Sequence, residues 1–339
     1  MMKTKIKTAG HAFLILPAVL ACVQLAGCAR SGKTEETAAV DAFDNLISVG
    51  FSQLGSESVW RSANTVSFQE TFTRENGYFL LYENARQKQE NQIKAIRSFI
   101  SQRVDYIVFS PVTETGWDTV LKEAREAGIP VITSDRQVVL DRDSGDGLVS
   151  AWVGGDMAAE GYKAAQWLRE NTKEDEKLNI VVLTGTEGSS AALGRSEGFH
   201  SISDTMENWN ILEEKCGDFT LAKGQEIMEY YLDTYPDINV LVSQNDDMTF
   251  GAIEAMRSRD IEPGTDIIII SFDAVREALE MVRDGFINVD VECSPLLGPY
   301  VDELIRKMEN GGQIEQSNPV DELVFTADNV KEYLESRTY

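Results

Sequence analysis

The chain has 339 residues, 42% of them hydrophobic, and carries 31 lysines and arginines against 56 aspartates and glutamates, a formal net charge of −25. A chain this long is too large for one small core and has apolar material enough for two domains of ordinary size. So acidic a surface repels phosphate backbones and anionic headgroups, which excludes nucleic acid as a partner.

At the start of the chain, Lys3, Lys5 and Lys7 precede an apolar run from Ala12 to Leu25, which leads into Leu25-Ala26-Gly27-Cys28. This pattern reads as an export signal over residues 1–27 whose removal leaves Cys28 as a lipid-bearing N-terminus, membrane-attached on the extracellular face or in the periplasm. The run is interrupted by Pro17 and falls short of the ~20 residues a spanning helix needs. An ordinary signal cut near Ala26, without lipid, is the alternative. Removal of the three lysines takes the net charge to −28 and leaves 312 residues. Residues 28–45 lack apolar periodicity and read as a flexible tether with a root-mean-square reach of ~20–25 Å.

From Leu46 onward, short apolar runs bounded by Gly, Pro, Asn or Asp alternate with stretches of helical periodicity. Strands are predicted over 46–53, 78–84, 105–111, 130–135, 179–185, 239–245, 266–273, 287–293 and 322–326. Helices are predicted between them, over 58–76, 87–102, 117–127, 156–171, 191–207, 221–235, 248–259, 274–284 and 296–310. Ile180–Leu183 and Ile267–Ile270 are continuously apolar, as parallel strands covered by helices on both faces are. Strict alternation of strand and helix implies an α/β fold with doubly wound parallel sheets. No G-x-G-x-x-G follows the first strand and no G-x-x-x-x-G-K-[ST] occurs, so the common phosphate cradles are missing and no cofactor is expected.

With Cys22 in the leader and Cys28 the expected lipid site, the remaining cysteines are Cys216 and Cys293, and the histidine outside the leader is His200. Two buried free thiols are expected, a disulfide between them being the alternative. One histidine excludes a histidine-rich metal centre, and Gly198-Phe199-His200 reads as a helix flank. Asp141, Asp143 and Asp146 do not follow the calcium-loop spacing and read as a solvated turn, so no metal is expected. Gly188-Ser189-Ser190 lacks the nucleophile elbow and reads as a helix start.

Ligands of open α/β sheets bind beyond the carboxyl ends of the strands, and here those positions are rich in planar polar groups. The first strand ends at Ser52 and leads through Glu57 to Trp60 and Arg61. Later strands end at Asp135-Arg136, Asn245, Asp273 and Glu292, Arg195 opens a helix, and Phe219 follows Cys216-Gly217-Asp218. Arginines donate to two adjacent oxygens and carboxylates accept from two hydroxyls, which suits the vicinal hydroxyls of a sugar. Trp60 and Phe219 can cover its apolar C–H faces. Each has a plainer reading as well: an ion pair for Asp135-Arg136, core packing for Trp60, a helix cap for Asn245, a helix N-terminal charge for Glu57.

The segments VGFSQLGSESVWR, QKQENQIKAIRSFI, SDR, GTEGSSAALGRSEGF, GDFT, NDDM with a following GAI, SFDA, and VECSP with a downstream Gly-Pro occur in this order. Together they resemble the solute-binding subunits of ABC sugar importers, the type I periplasmic binding proteins of the ribose and galactose group. Within that group the likeness is greatest to the galactofuranose-binding type, and it runs from about Leu46 to Tyr339.

The resemblance implies two lobes joined by three crossing strands, residues 46–153 with 293–325 forming the first and 154–292 with 326–339 the second. It implies that Asp135 and Arg136 grip ring hydroxyls, that Arg195, Asn245 and Asp273 bind from the second lobe, and that Phe219 stacks. Glu292 falls at a hinge-side position, and Ser52, Glu57, Trp60 and Arg61 fall in the first-strand loop, which departs from that of ribose binders. Ser110-Pro111 stands where ribose binders carry Asn-Pro. The implied activity is capture of a hexose-like monosaccharide, in furanose form, by hinge closure of a monomer that delivers it to an ABC permease, with no covalent chemistry. A lipoprotein presenting sugar to a membrane sensor is an alternative, as is an exported glycoside-acting enzyme using carboxylates such as Glu57 and Asp273. The export signal, the acidic charge and the lack of N-terminal DNA-binding helices oppose a sugar-responsive repressor.

Overall fold

A computed structural model of the chain describes residues 46–144 and 147–339. The expected signal peptide, Cys28, the tether and Asp146 lie outside the described residues, and among those described no helix is long and apolar enough to cross a membrane.

The first sheet holds β1 (Ile47–Gln53), β2 (Tyr78–Asn84), β3 (Tyr106–Phe109), β4 (Val131–Ser134), β5 (Ala151–Gly154) and β11 (Ser317–Pro319), in the order β11-β5-β4-β3-β1-β2. The second holds β6 (Leu178–Thr184), β7 (Trp209–Cys216), β8 (Val240–Ser243), β9 (Ile268–Asp273), β10 (Val289–Glu292) and β12 (Val324–Phe325), in the order β12-β10-β9-β8-β6-β7. All pairs are parallel except β10 with β12, where Val291 faces Val324. In both sheets the chain starts near one edge, steps outward once and then runs back across, so the switch in strand order opens a crevice at the carboxyl ends.

Helices cover both faces of each sheet. In the first lobe α1 (Val59–Thr71) and α9 (Gly298–Glu309) bury Phe68, Phe72, Val301 and Ile305 on one face, while α2 (Gln89–Gln102) and α3 (Asp118–Glu126) bury Ile96, Phe99, Val120 and Leu121 on the other. In the second lobe α4 (Met157–Asn171) and α5 (Ser190–Ser203) cover one face, and α6 (Leu221–Thr234), α7 (Asp246–Arg257) and α8 (Arg276–Asp284) the other. Burial on both faces explains why β3, β4 and β8 show no alternation: every residue in them is buried.

The chain passes between the lobes three times, through Gly155-Asp156, through Cys293–Leu297, and through residues 320–323. The third passage comes earlier than the resemblance implied, because Val324 and Phe325 already pair with β10 of the second sheet. Three strands escaped the sequence reading. β5 and β11 are short, β11 contains Pro319, and β7 is a half-exposed edge strand of sequence WNILEEKC. Strict alternation also fails between β4 and β5, where the described chain forms a 3-10 turn at Arg142–Ser144 in place of a helix. Cys216 and Cys293 are free thiols, but Cys216, on the edge strand, is exposed and only Cys293 is buried.

The pair α4 and α5 carries side chains that the site needs, and two glycines set its spacing. A Cβ at Gly161 would stand 2.1 Å from the carbonyl oxygen of Arg195, and one at Gly198 would stand 2.0 Å from that of Ala158. Backbone is the obstacle in both cases, so no rotamer change relieves it. Gly161→Ala is expected to cost ~1–3 kcal/mol through overpacking, more than the ~1 kcal/mol that alanine gains in helix propensity. Urea unfolding should show a lower midpoint, and an unchanged or higher one would refute the close approach.

Candidate functional site

Where the carboxyl ends of the two sheets face each other, Glu57, Ser58, Trp60, Arg61, Asp135, Arg136, Ala191, Arg195, Phe219, Asn245, Asp273 and Cys293 line a narrow cleft with a cavity volume of about 20 Å³. That is room for little more than one water molecule, as in a cleft closed down on its own side chains.

Backbone geometry aims several of these side chains. Asp135 has φ 65°, Phe219 φ 59° and Asp273 φ 106°, all in the left-handed half that residues other than glycine seldom adopt. The amide of Arg136 donates to the carbonyl of Ser134 at 2.8 Å, closing a three-residue turn about Asp135. The chain thus reverses as it leaves β4, and the Asp135 carboxylate swings into the gap between the lobes.

In the first lobe, Arg61 donates to Asp135 Oδ2 at 2.7 Å, to Glu57 Oε1 at 3.2 Å and to Ser110 Oγ at 3.3 Å. Ser110 in turn donates to Asp135 Oδ2 at 3.0 Å, so it supports the network from behind the cavity lining. Burial opposes the charge on Arg61, but Asp135 and Glu57 outweigh it and hold the guanidinium above its ordinary range. Arg136 is less well served. It gives Nη1 to the carbonyl of Val112 at 3.1 Å, its Nε has no hydrogen-bond partner, and it lies 5.2 Å from the ring centre of Phe219 in the opposite lobe. Burial first and the charge of Arg61 second push it down to about 10, which leaves it cationic at neutral pH.

In the second lobe, Arg195 donates to Glu160 Oε2 at 2.7 Å, to Asp273 Oδ1 at 3.1 Å and to the carbonyl of Gln244. Burial again opposes its charge, and Glu160 and Asp273 more than compensate, raising it well above the usual value. Asn245 caps α7 by accepting from the amide of Met248 at 3.0 Å and still lines the cavity, so the two readings of this residue hold together. The same is true of Trp60, which packs in the second lobe's core and donates Nε1 to the carbonyl of Cys293 at 2.6 Å.

Of the expected residues, Glu57, Trp60, Arg61, Asp135, Arg136, Arg195, Phe219, Asn245 and Asp273 meet at this cavity. Ser52 and Glu292 do not. Ser52 lies fully buried within β1, its hydroxyl without a partner. Glu292 turns away to accept from Arg337 Nη1 at 2.7 Å and the amide of Leu323 at 3.0 Å, tying the C-terminal segment to the third crossing. Sequence reasoning missed Ser58, Ala191 and Cys293 in the lining and Glu160 behind Arg195. An acidic residue on a helix face otherwise made of Gly161, Ala164 and Ala165 was the available signal for Glu160.

The lobes also touch each other directly. The amide of Val59, at the start of α1, donates to Asp247 Oδ2 at 3.1 Å, the amide of Gln137 to Ser190 Oγ at 2.9 Å, and the amide of Glu114 to the carbonyl of Gly188 at 3.0 Å. The arrangement is a closed one.

Two doubly wound lobes, three crossings and a polar cleft between them define a two-lobed α/β binding protein. The family profile described as periplasmic binding protein domain matches residues 49–292. The chain is 37% identical over 295 residues to the galactofuranose-binding protein YtfQ of Escherichia coli, covering 86% of this chain and 91% of that one. Among solved structures it is similar to a Mycobacterium smegmatis protein in complex with β-D-fucofuranose, at 40% identity and TM-score 0.81 over 86% of this chain and 95% of that one. It is also similar to the binding component of the arabinose ABC transporter from Shewanella sp. ANA-3, bound to α- and β-L-arabinofuranose, at 38% identity and TM-score 0.81 over the same shares, 86% and 95%. The chain belongs to the periplasmic binding protein family, in which these relatives are sugar-binding proteins and not enzymes.

Asp247 makes the contact between the lobes sensitive to pH. Burial first, with the charges of Glu57 and Glu277 adding and the Val59 amide opposing, raises its carboxyl to about 6. A carboxyl raised above its unfolded value of about 4 favours the folded state when protonated. That contribution is complete below about pH 4 and is lost as pH rises through about 6, by no more than about 3 kcal/mol. Thermal unfolding of wild type and Asp247→Asn across this window should give a steeper fall with rising pH for wild type, and parallel curves would refute the assignment.

Proposed function

We propose that this chain is the lipid-anchored, monomeric solute-binding subunit of an ABC importer and that it captures a hexose-like monosaccharide in its furanose form. The observation that carries this reading is the cleft itself. Three guanidinium groups and three carboxylates line it together with Trp60 and Phe219, and Arg136 Nε and Glu57 Oε2 have no hydrogen-bond partner. Unpaired donors and acceptors in a buried cleft favour a ligand dense in hydroxyls. The furanose preference is supported by the relatives, whose ligands include galactofuranose, fucofuranose and arabinofuranose. A sugar that bridges Asp135 and Arg136 to Arg195, Asn245 and Asp273 stabilises the closed arrangement over the open one, and the closed surface is what a permease would recognise.

A thermal-shift screen of galactofuranose, arabinose, fucose, galactose and ribose tests the ligand class, since a sugar selective for the native state raises the unfolding midpoint. With the sugar so found, Arg136→Ala and Asp273→Ala should each cost at least ~2 kcal/mol of affinity, roughly 30-fold. Calorimetry that finds wild-type affinity in either variant would remove that residue from the site. For the anchor, Cys28→Ser should move the exported protein from the membrane fraction to the soluble one, and membrane retention would overturn lipidation at that cysteine.

A further inference from the structure

Behind the cleft floor, beside the crossings, Glu160 of α4, Cys293 of the second crossing and Glu322 of the third turn their ligating atoms toward one another, all within 4.8 Å. The first crossing closes the remaining side. A Cβ at Gly155 would stand 2.5 Å from Glu160 Oε1 and 2.5 Å from Glu322 Oε1, so both carboxylates close against the backbone of the first crossing.

Among the described residues, Arg195 is the one ion-pair partner of this cluster, and it reaches Glu160 but not Glu322. Glu160 is fully buried, and although Oε2 is bound by Arg195 at 2.7 Å, Oε1 is buried with no hydrogen-bond partner. Arg195 has nothing further to offer, because its remaining nitrogens go to Gln244 and Asp273. Glu322 accepts the amide of Ser294 at 3.1 Å, and no ion pair among the described residues includes it. Two carboxyl groups this close, Glu160 fully buried and Glu322 partly so, repel unless a cation or a shared proton lies between them.

We propose that Glu160, Cys293 and Glu322 form a site for a divalent transition metal of the zinc class, held by one thiolate and two carboxylates. Zinc takes cysteine sulfur and carboxylate oxygen together, at low coordination number. Calcium and magnesium need six or more oxygens, which one thiol and two carboxylates do not supply. The thiolate and two carboxylates share one guanidinium, that of Arg195, which also serves Asp273, and a divalent cation offsets the negative charge that remains. Binding releases the thiol proton of Cys293, and any proton between the carboxylates, to solvent. The metal would tie α4 to the second and third crossings, directly behind the cleft that Cys293 lines and Arg195 serves.

The probe is Co²⁺ added to the whole chain, read by sulfur-to-cobalt charge-transfer absorption in the near ultraviolet. The expected result is a saturable band that Zn²⁺ displaces, that survives Cys216→Ser and that disappears in Cys293→Ser. Glu322→Gln, which keeps the thiol, should weaken Co²⁺ binding at least ~10-fold. No band, a band that survives Cys293→Ser, or unchanged affinity in Glu322→Gln would overturn the site and leave a shared proton as the cation between the carboxylates.

Discussion

Three arginine side chains, Arg61, Arg136 and Arg195, are buried where the lobes meet, each 3% exposed or less. A guanidinium removed from water must be compensated by carboxylates and carbonyls held in place for it, and the rest of the site follows from that constraint. Arg195 on α5 gathers Glu160 from α4, the carbonyl at the end of β8 and Asp273 from the end of β9. Only the glycine-lined contact of α4 with α5 brings the first of these within reach. Arg61 gathers Glu57, Ser110 and Asp135 in the same way. Arg136 is the exception. Its partners are one carbonyl, a looser ion pair with Asp135 at 3.9 Å and an aromatic face contributed by the other lobe, so it is the arginine with most to gain from a third body in the cleft.

The two closures of the gap differ in kind. Side chains reach across it as cation and ring in Arg136 and Phe219, a contact that tolerates some displacement. The amides of Val59, Gln137 and Glu114 reach across it as hydrogen bonds, which do not. Asp247 is set against the first turn of α1, where unpaired amides and the helix dipole favour a carboxylate. Its raised titration reflects how much solvent the contact has displaced.

Much of this could be read from the residues. The continuously apolar β6 and β9 announced a parallel sheet, and the rule that strand ends carry ligands picked out most of the cavity lining. The failures have physical causes. Trp209–Cys216 pairs on one side only, so its sequence mixes exposed and half-buried positions and loses the buried-strand pattern. Ser52 was chosen for standing near a strand end, yet it is enclosed within the lobe, a fact that depends on Gln92 and Ser110 packing over its carbonyl. Glu292 is claimed by Arg337, 45 residues away, and Glu160 by Arg195, 35 residues away. Neither distance has a periodicity to betray it. Left-handed backbone at Asp135 and Asp273 is equally silent in sequence, because aspartate accepts that region without requiring it.

The link from Glu114 to Gly188 is made by main chain alone, amide to carbonyl. A bond of that kind asks nothing of the side chain at position 114, so substitutions there other than proline, which has no N–H, leave it intact. Part of the free energy that draws the halves together is therefore indifferent to what the cleft holds, and lining residues can diverge toward new cargo while the jaw keeps its bite.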